Sequence, residues 1–244
     1  MGKVTKKLAD FLEKKFPNHM LLGDRALAAK KFDKAIEHYQ ELEKKNDLCR
    51  FSLYNWGKAL VGLGRPEEAI EKFKQSLEYD EKLEDSYIQL GICLYRTGKF
   101  EEAEEVYRQA ATNYPASAAV YFHWALVKEP QQKFDEAFEL YKKALSHNSK
   151  DIMSLNAIGK YYLTKGELDN AYEYFEKVIK VNNKFAPAYL SLAVIMNRQG
   201  IKKRALDFLK KACELDTTAK RFLVGSPEFE NLREDPQFKD ILES

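Results

Sequence analysis

Cysteine is scarce: the 244-residue chain has three, Cys49, Cys93 and Cys213. They are odd in number and far apart, and no C-x-x-C occurs. This argues against a disulfide framework, a zinc ribbon and a thioredoxin-type site, and fits a reducing compartment. Glycine (11) and proline (7) are too few for the turns of an all-β protein of this length, which favours helices. An excess of one charge is also missing, because 40 Lys+Arg against 38 Asp+Glu leave a net +2. Binding to nucleic acid or to an anionic membrane needs a basic surplus. No apolar run reaches spanning length, and Met1–Lys7 is followed by no signal-peptide apolar region. Gly2 is followed at position 6 by Lys6, where a myristoylation signal wants Ser or Thr. The expectation is a cytoplasmic protein with no membrane insertion and no nucleic-acid partner. What is present suffices for a core: 45% hydrophobic residues, 13% of the chain aromatic.

The apolar residues are organised by a period. Ala35, Ala69, Ala103, Ala137, Ala171 and Ala205 recur every 34 residues. Four residues after each stands Tyr39, Phe73, Tyr107, Tyr141, Phe175 or Leu209. Twelve before each stands a small residue, Gly23, Gly57, Gly91, Ala125, Gly159 or Ala193, itself preceded by a bulky one. Tyr87, Leu90, Gly91 and Leu94 share one helical face, and Ala103, Val106, Tyr107 and Ala110 share a second. Gly98 lies between them, where a turn uses positive φ. Each unit is therefore a helical hairpin whose small residues allow close approach. One hairpin cannot cover its own faces, so neighbours must stack.

This pattern resembles the tetratricopeptide repeat. The units run 16–49, 50–83, 84–117, 118–151, 152–185 and 186–219, preceded by residues 1–15 and followed by 220–244. The resemblance implies an all-α, right-handed superhelical solenoid of six hairpins, with an N-terminal helix and C-terminal capping helices. There are departures. His19 replaces the first bulky residue of unit one. Lys128 stands where unit four calls for a large apolar residue, and Pro130 follows, so that unit's first helix is expected to end early or its hairpin to open. Val4, Leu8, Phe11, Leu12 and Phe16 lie on one face of an amphipathic segment, read as a cap or as a detachable docking segment. Ser226-Pro227 and Asp235-Pro236 each look like a helix start, giving two short terminal helices that cap the stack.

No catalytic constellation survives scrutiny. His19, His38, His123 and His147 form no paired-ligand spacing, so no metal is expected, and there is neither a glycine-rich phosphate loop nor G-x-S-x-G. Acidic pairs such as Glu67-Glu68 open second helices, where they complement the helix dipole. The chain is read as a non-enzyme without cofactor.

In the family the second stripe of each first helix lines a concave groove for peptides or helices, and the resemblance implies the same here. The stripe carries Met20 and Asp24, Tyr54 and Lys58, Ile88, Ile92 and Tyr95, Phe122 and Leu126, Asn156 and Lys160, and Leu190 and Val194. Beside it stand Asn55, Gln89 and His123, able to hydrogen-bond an extended backbone. The pattern does not match the carboxylate grip that some members use for heat-shock chaperones, since Asn55 alone agrees and Asp24 and Asp85 would repel a carboxylate. An apolar groove with polar punctuation suits an amphipathic helix or an apolar-anchored peptide. The leading expectation is an adaptor for a protein partner. The alternative is a self-assembling scaffold in which a terminal helix fills a neighbour's groove.

Overall fold

A computed structural model describes residues 18–80 and 83–243. Among these the regular structure is helical throughout. The chain divides into two compact units, Met1–Ala116 and Ser117–Ser244. The segment expected to form a helix over residues 4–16 lies outside the described residues.

The first unit holds three hairpins. They are α1 (His19–Ala28) with α2 (Phe32–Lys44), α3 (Arg50–Gly62) with α4 (Pro66–Tyr79), and α5 (Glu84–Arg96) with α6 (Phe100–Asn113). Asn18 caps α1 by accepting a hydrogen bond from Leu21 N at 3.1 Å. Second helices start without a side-chain cap but carry acids in their first turn, Asp33, Glu67 and Glu68, and Glu101 and Glu102. These charges answer the unpaired amides there. Ser76 Oγ and Ser86 Oγ, 2.9 Å apart and both buried, tie α4 to α5.

The second unit repeats the plan. Here α7 (Ala118–Lys128) pairs with α8 (Phe134–His147), α9 (Ile152–Lys165) with α10 (Leu168–Val181), and α11 (Ala186–Arg198) with α12 (Lys202–Leu215). Ser117 caps α7 and Asp151 caps α9. Three short elements follow: α13 (Ala219–Gly225), a 3-10 helix (Pro227–Leu232) and α14 (Pro236–Glu243). The sequence pattern anticipated the last two and missed α13. Asp235 Oδ1 caps α14 through Gln237 N at 2.8 Å, whereas Ser226 is buried and makes no side-chain cap. Leu223, Phe229, Leu232, Phe238 and Ile241 bury themselves with Leu206 and Leu209 of α12 and with Val194 of α11.

The 34-residue period is the core. All six alanines are buried, as are the six large residues four places on. In the units with glycine the ring fills the missing side chain: a Cβ on Gly57 would stand 2.7 Å from Phe73 Cε1.

The hairpin turns share one geometry. Gly64, Gly98, Gly166 and Gly200 have φ between 72° and 79°, and Lys30 and Gln132 take the same place at 55° and 59°. In each turn the next amide reaches back five residues, as in Lys99 N to Leu94 O at 2.8 Å and Lys133 N to Lys128 O at 3.1 Å. Unit four's first helix does end early, with 11 residues against 13 in α5. Its hairpin stays closed, because Gln132 accepts the left-handed conformation. Lys128 is buried and reaches Glu136 at 2.8 Å.

Candidate functional site

In the first unit the stripe residues line one face of α1, α3 and α5. Met20, Tyr54, Ile88 and Ile92 are half-buried, Lys58 is exposed and Tyr95 is 38% exposed. Tyr54 packs on Phe73 at 5.9 Å, and Lys58 Nζ stands 5.2 Å from the Tyr54 centroid. Burial pushes the Tyr54 phenol above its ordinary pKa, with Asp85 adding to the rise. Asp24 is already engaged. One of its oxygens accepts both from Tyr39 Oη and from Asn55 Nδ2, each at 2.9 Å. Asp24, Asn55, Lys58 and Gln89 share a shallow cleft of about 600 Å³ with Phe32 and Val61.

The second unit has a deeper apolar cleft, about 650 Å³, between α7, α8 and α9. The stripe residues Phe122, Leu126, Asn156 and Lys160 line it, as do Phe134, Phe138, Tyr141, Met153 and Tyr161. Phe122 packs against Tyr141 at 5.8 Å, and Phe138 stacks on Tyr161 at 4.2 Å. Phe134 (54%) and Met153 (49%) remain open to solvent. Asp135 accepts from Tyr161 Oη at 2.6 Å and pairs with Lys165 at 3.1 Å. These bonds hold its carboxyl below the ordinary range. Glu129 accepts from Tyr141 Oη at 2.6 Å.

Three stripe residues depart from an open wall. Asn156 is 6% exposed, and its Oδ1 lacks a hydrogen-bond partner. Val194 is buried in the cluster formed with the C-terminal elements, and Leu190 packs against the same cluster. The sixth repeat's pair is thus largely core, because the cap needed apolar surface to cover. His123 is half-buried with its ring edge-on to Phe122 at 5.2 Å, and desolvation lowers its pKa.

The second helices contribute residues that the stripe argument omitted. Phe134 and Phe138 come from α8, and Glu129 follows α7. A signal existed, since the first position of the second helix is aromatic in three units, Phe32, Phe100 and Phe134.

The Cys93 thiol is buried and pushed up to about 11, far from a reactive thiolate. Among the described residues no group of three His, Cys, Asp or Glu could hold a metal ion. Nor is any described helix long and apolar enough to cross a membrane.

Comparison with solved structures finds the same fold. Pseudomonas aeruginosa pilF is 18% identical with a TM-score of 0.71, over 88% of this chain and 94% of that one. MamA protein is 28% identical with a TM-score of 0.61, over 69% and 92%. YrrB, described as a TPR protein with an unusual peptide-binding site, is 18% identical with a TM-score of 0.56, over 73% and 92%. No curated protein sequence matches. The family profile of the cilia and flagella-associated protein 70 C-terminal domain matches residues 13–222. With that match over most of its length and six hairpins at a 34-residue period, the chain belongs to this family of tetratricopeptide repeat proteins.

Proposed function

We propose that the chain is a non-catalytic interaction scaffold that captures a helix or an apolar-anchored peptide of a protein partner on the faces of its first helices. The observation that carries this reading is the second unit's cleft. It is walled by Phe122, Phe138 and Tyr161 and keeps Phe134 and Met153 half exposed. Exposed large apolar side chains gathered in one concavity mark a docking surface more often than an idle one. The peptide-binding site named for YrrB, on the same fold, agrees with it. The family name directs the search for a partner to proteins of cilia and flagella. Three free thiols fit a cytoplasmic location.

The test is affinity capture from the source cells with the wild-type chain and with Ile88→Asp/Phe122→Asp. The expected result is loss of the partner with helicity unchanged. Capture that survives the double substitution moves the partner to the opposite face or to the turns.

Self-assembly has its own supporting observation: Phe222 (52%) and Val224 (62%) of α13 are both exposed. Hydrodynamic size over a concentration series, with and without residues 1–15, separates the two readings. Oligomers lost on truncation favour assembly through the N-terminal segment, and a steady monomer favours the scaffold for a different partner.

A further inference from the structure

Resting on the reading of the second unit's cleft as a docking site, we infer that this cleft receives an arginine side chain of the partner, bound between an unpartnered amide oxygen, a carboxylate and two aromatic rings.

Asn156 is the first observation. At the equivalent position the other five repeats carry Met20, Tyr54, Ile88, Phe122 and Leu190, all apolar. Asn156 alone is polar there, it lines the cleft, it is more than nine-tenths buried, and its Oδ1 accepts nothing. A buried acceptor is ordinarily paired, and a ligand N–H is what this one lacks.

Glu129 is the second. One of its oxygens takes the Tyr141 hydroxyl, and among the described residues no cation pairs with it. The other acid of the cleft, Asp135, is held by Lys165 and Tyr161. Glu129 therefore keeps lone pairs for an incoming donor.

The rings are the third. Lys142 stands 5.2 Å from the centroid of Phe138, and Lys165 stands 5.2 Å from that of Tyr161. Phe122 and Phe134 have no such cation among the described residues, and Phe134 is 54% exposed. A guanidinium suits this set better than an ammonium. It is planar and weakly hydrated, it stacks on aromatic faces, and it carries five donors, enough for Glu129 and Asn156 together. Lys160, one helical turn after Asn156 and exposed, disfavours a second cation and selects an acidic residue beside the arginine.

The test uses the full chain and acetylated, amidated, fluorescein-labelled nonapeptides. Two leucines flank a central Arg, Lys, Glu or Leu, and affinity is read by fluorescence anisotropy. The Arg peptide is expected to bind roughly tenfold more tightly than the Leu and Glu peptides, with Lys in between. Glu129→Gln, a surface change, is expected to remove most of that preference. Asn156→Leu, checked for unchanged helicity, should act in the same direction. A preference for Glu, equal affinity for Arg and Leu, or an Arg preference that survives Glu129→Gln overturns the arginine site and leaves the docking reading standing. Failure of all four peptides to bind removes the docking reading, and the arginine site with it.

Discussion

The ring of Phe73 occupies the space in which a side chain on Gly57 would begin, with Cε1, Cζ and Cδ1 all within 2.9 Å of an ideal Cβ. Both residues are buried, and Phe73 has no exposed surface into which to swing. Gly57→Ala therefore sets a helix-propensity gain of about 1 kcal/mol against overpacking of roughly 1–3 kcal/mol. Overpacking wins because a fully enclosed ring cannot yield. The expected outcome is a net loss of about 1 kcal/mol in urea unfolding, recovered in part by adding Phe73→Leu. Gly225→Ala, where nothing lies within 4 Å, is the control. Equal stability of the Gly57→Ala chain and wild type would show that the two helices can part at no cost.

That glycine and that ring were legible in the sequence because both repeat every 34 residues, and the alanine between the helices shows the same regularity. The turns were legible where glycine marks them and hidden at Lys30 and Gln132. There the back-reaching hydrogen bonds impose positive φ on ordinary residues. The stripe on the first helices followed from helical periodicity, and Phe122, Leu126, Asn156 and Lys160 do share a cleft. Phe134, Phe138 and Glu129 did not follow from it, because a one-helix argument carries no information about the helix packed beside it. Nor did burial of Asn156, since a polar residue at a stripe position looks the same in sequence whether or not it is exposed. Helix α13 escaped because it begins where the repeat stops.

Gln132 holds φ 59° in a turn that glycine fills in four other hairpins. A left-handed conformation costs a side-chain-bearing residue roughly 1–2 kcal/mol, and glycine gives part of that back in the greater freedom of its unfolded chain. Gln132→Gly is expected to raise stability by about 0.5 kcal/mol. The reciprocal change, Gly98→Gln, should cost about 1 kcal/mol. Thermal unfolding of both variants checks the pair. A destabilised Gln132→Gly would mean that the glutamine side chain contributes more than its backbone strain.

Lys128 stands at the place of Leu94 in the repeat before it, yet it is buried, with its ammonium 2.8 Å from Glu136. Its stem supplies apolar packing while its charge requires desolvation. Replacing one member of a buried ion pair is costly only where the other charge stays buried, and Glu136 is 58% exposed, so an apolar side chain of similar length removes the desolvation of the ammonium without stranding its partner. Lys128→Met is expected to raise the unfolding free energy by about 1 kcal/mol, and Lys128→Ala to lower it by roughly 2 kcal/mol through the cavity left behind. Denaturant unfolding of the two variants decides whether stem or charge dominates. If Met destabilises as much as Ala, the ion pair outweighs the packing.

His123 makes stability depend on pH in a definite direction. Burial holds its imidazole below the ordinary value of 6.5, and Asp151 offsets that only in part. The unfolded chain therefore takes up a proton at a higher pH than the folded chain does. Stability from this group is complete above pH 6.5, falls as pH drops through 6.5 toward the lowered folded value, and levels off below it. His19, also lowered by burial, acts in the same sense. His123→Asn cannot titrate, so its unfolding temperature should fall less than that of wild type between pH 7.5 and pH 5.5 (working limits of about one unit either side of a free histidine). Carboxylates titrate alike in both proteins over that interval, so the difference between the two curves isolates the imidazole. Parallel curves would mean that the ring takes its proton in place, with Asp151 compensating for the lost water, and a steeper fall in the variant would reverse the assigned sign.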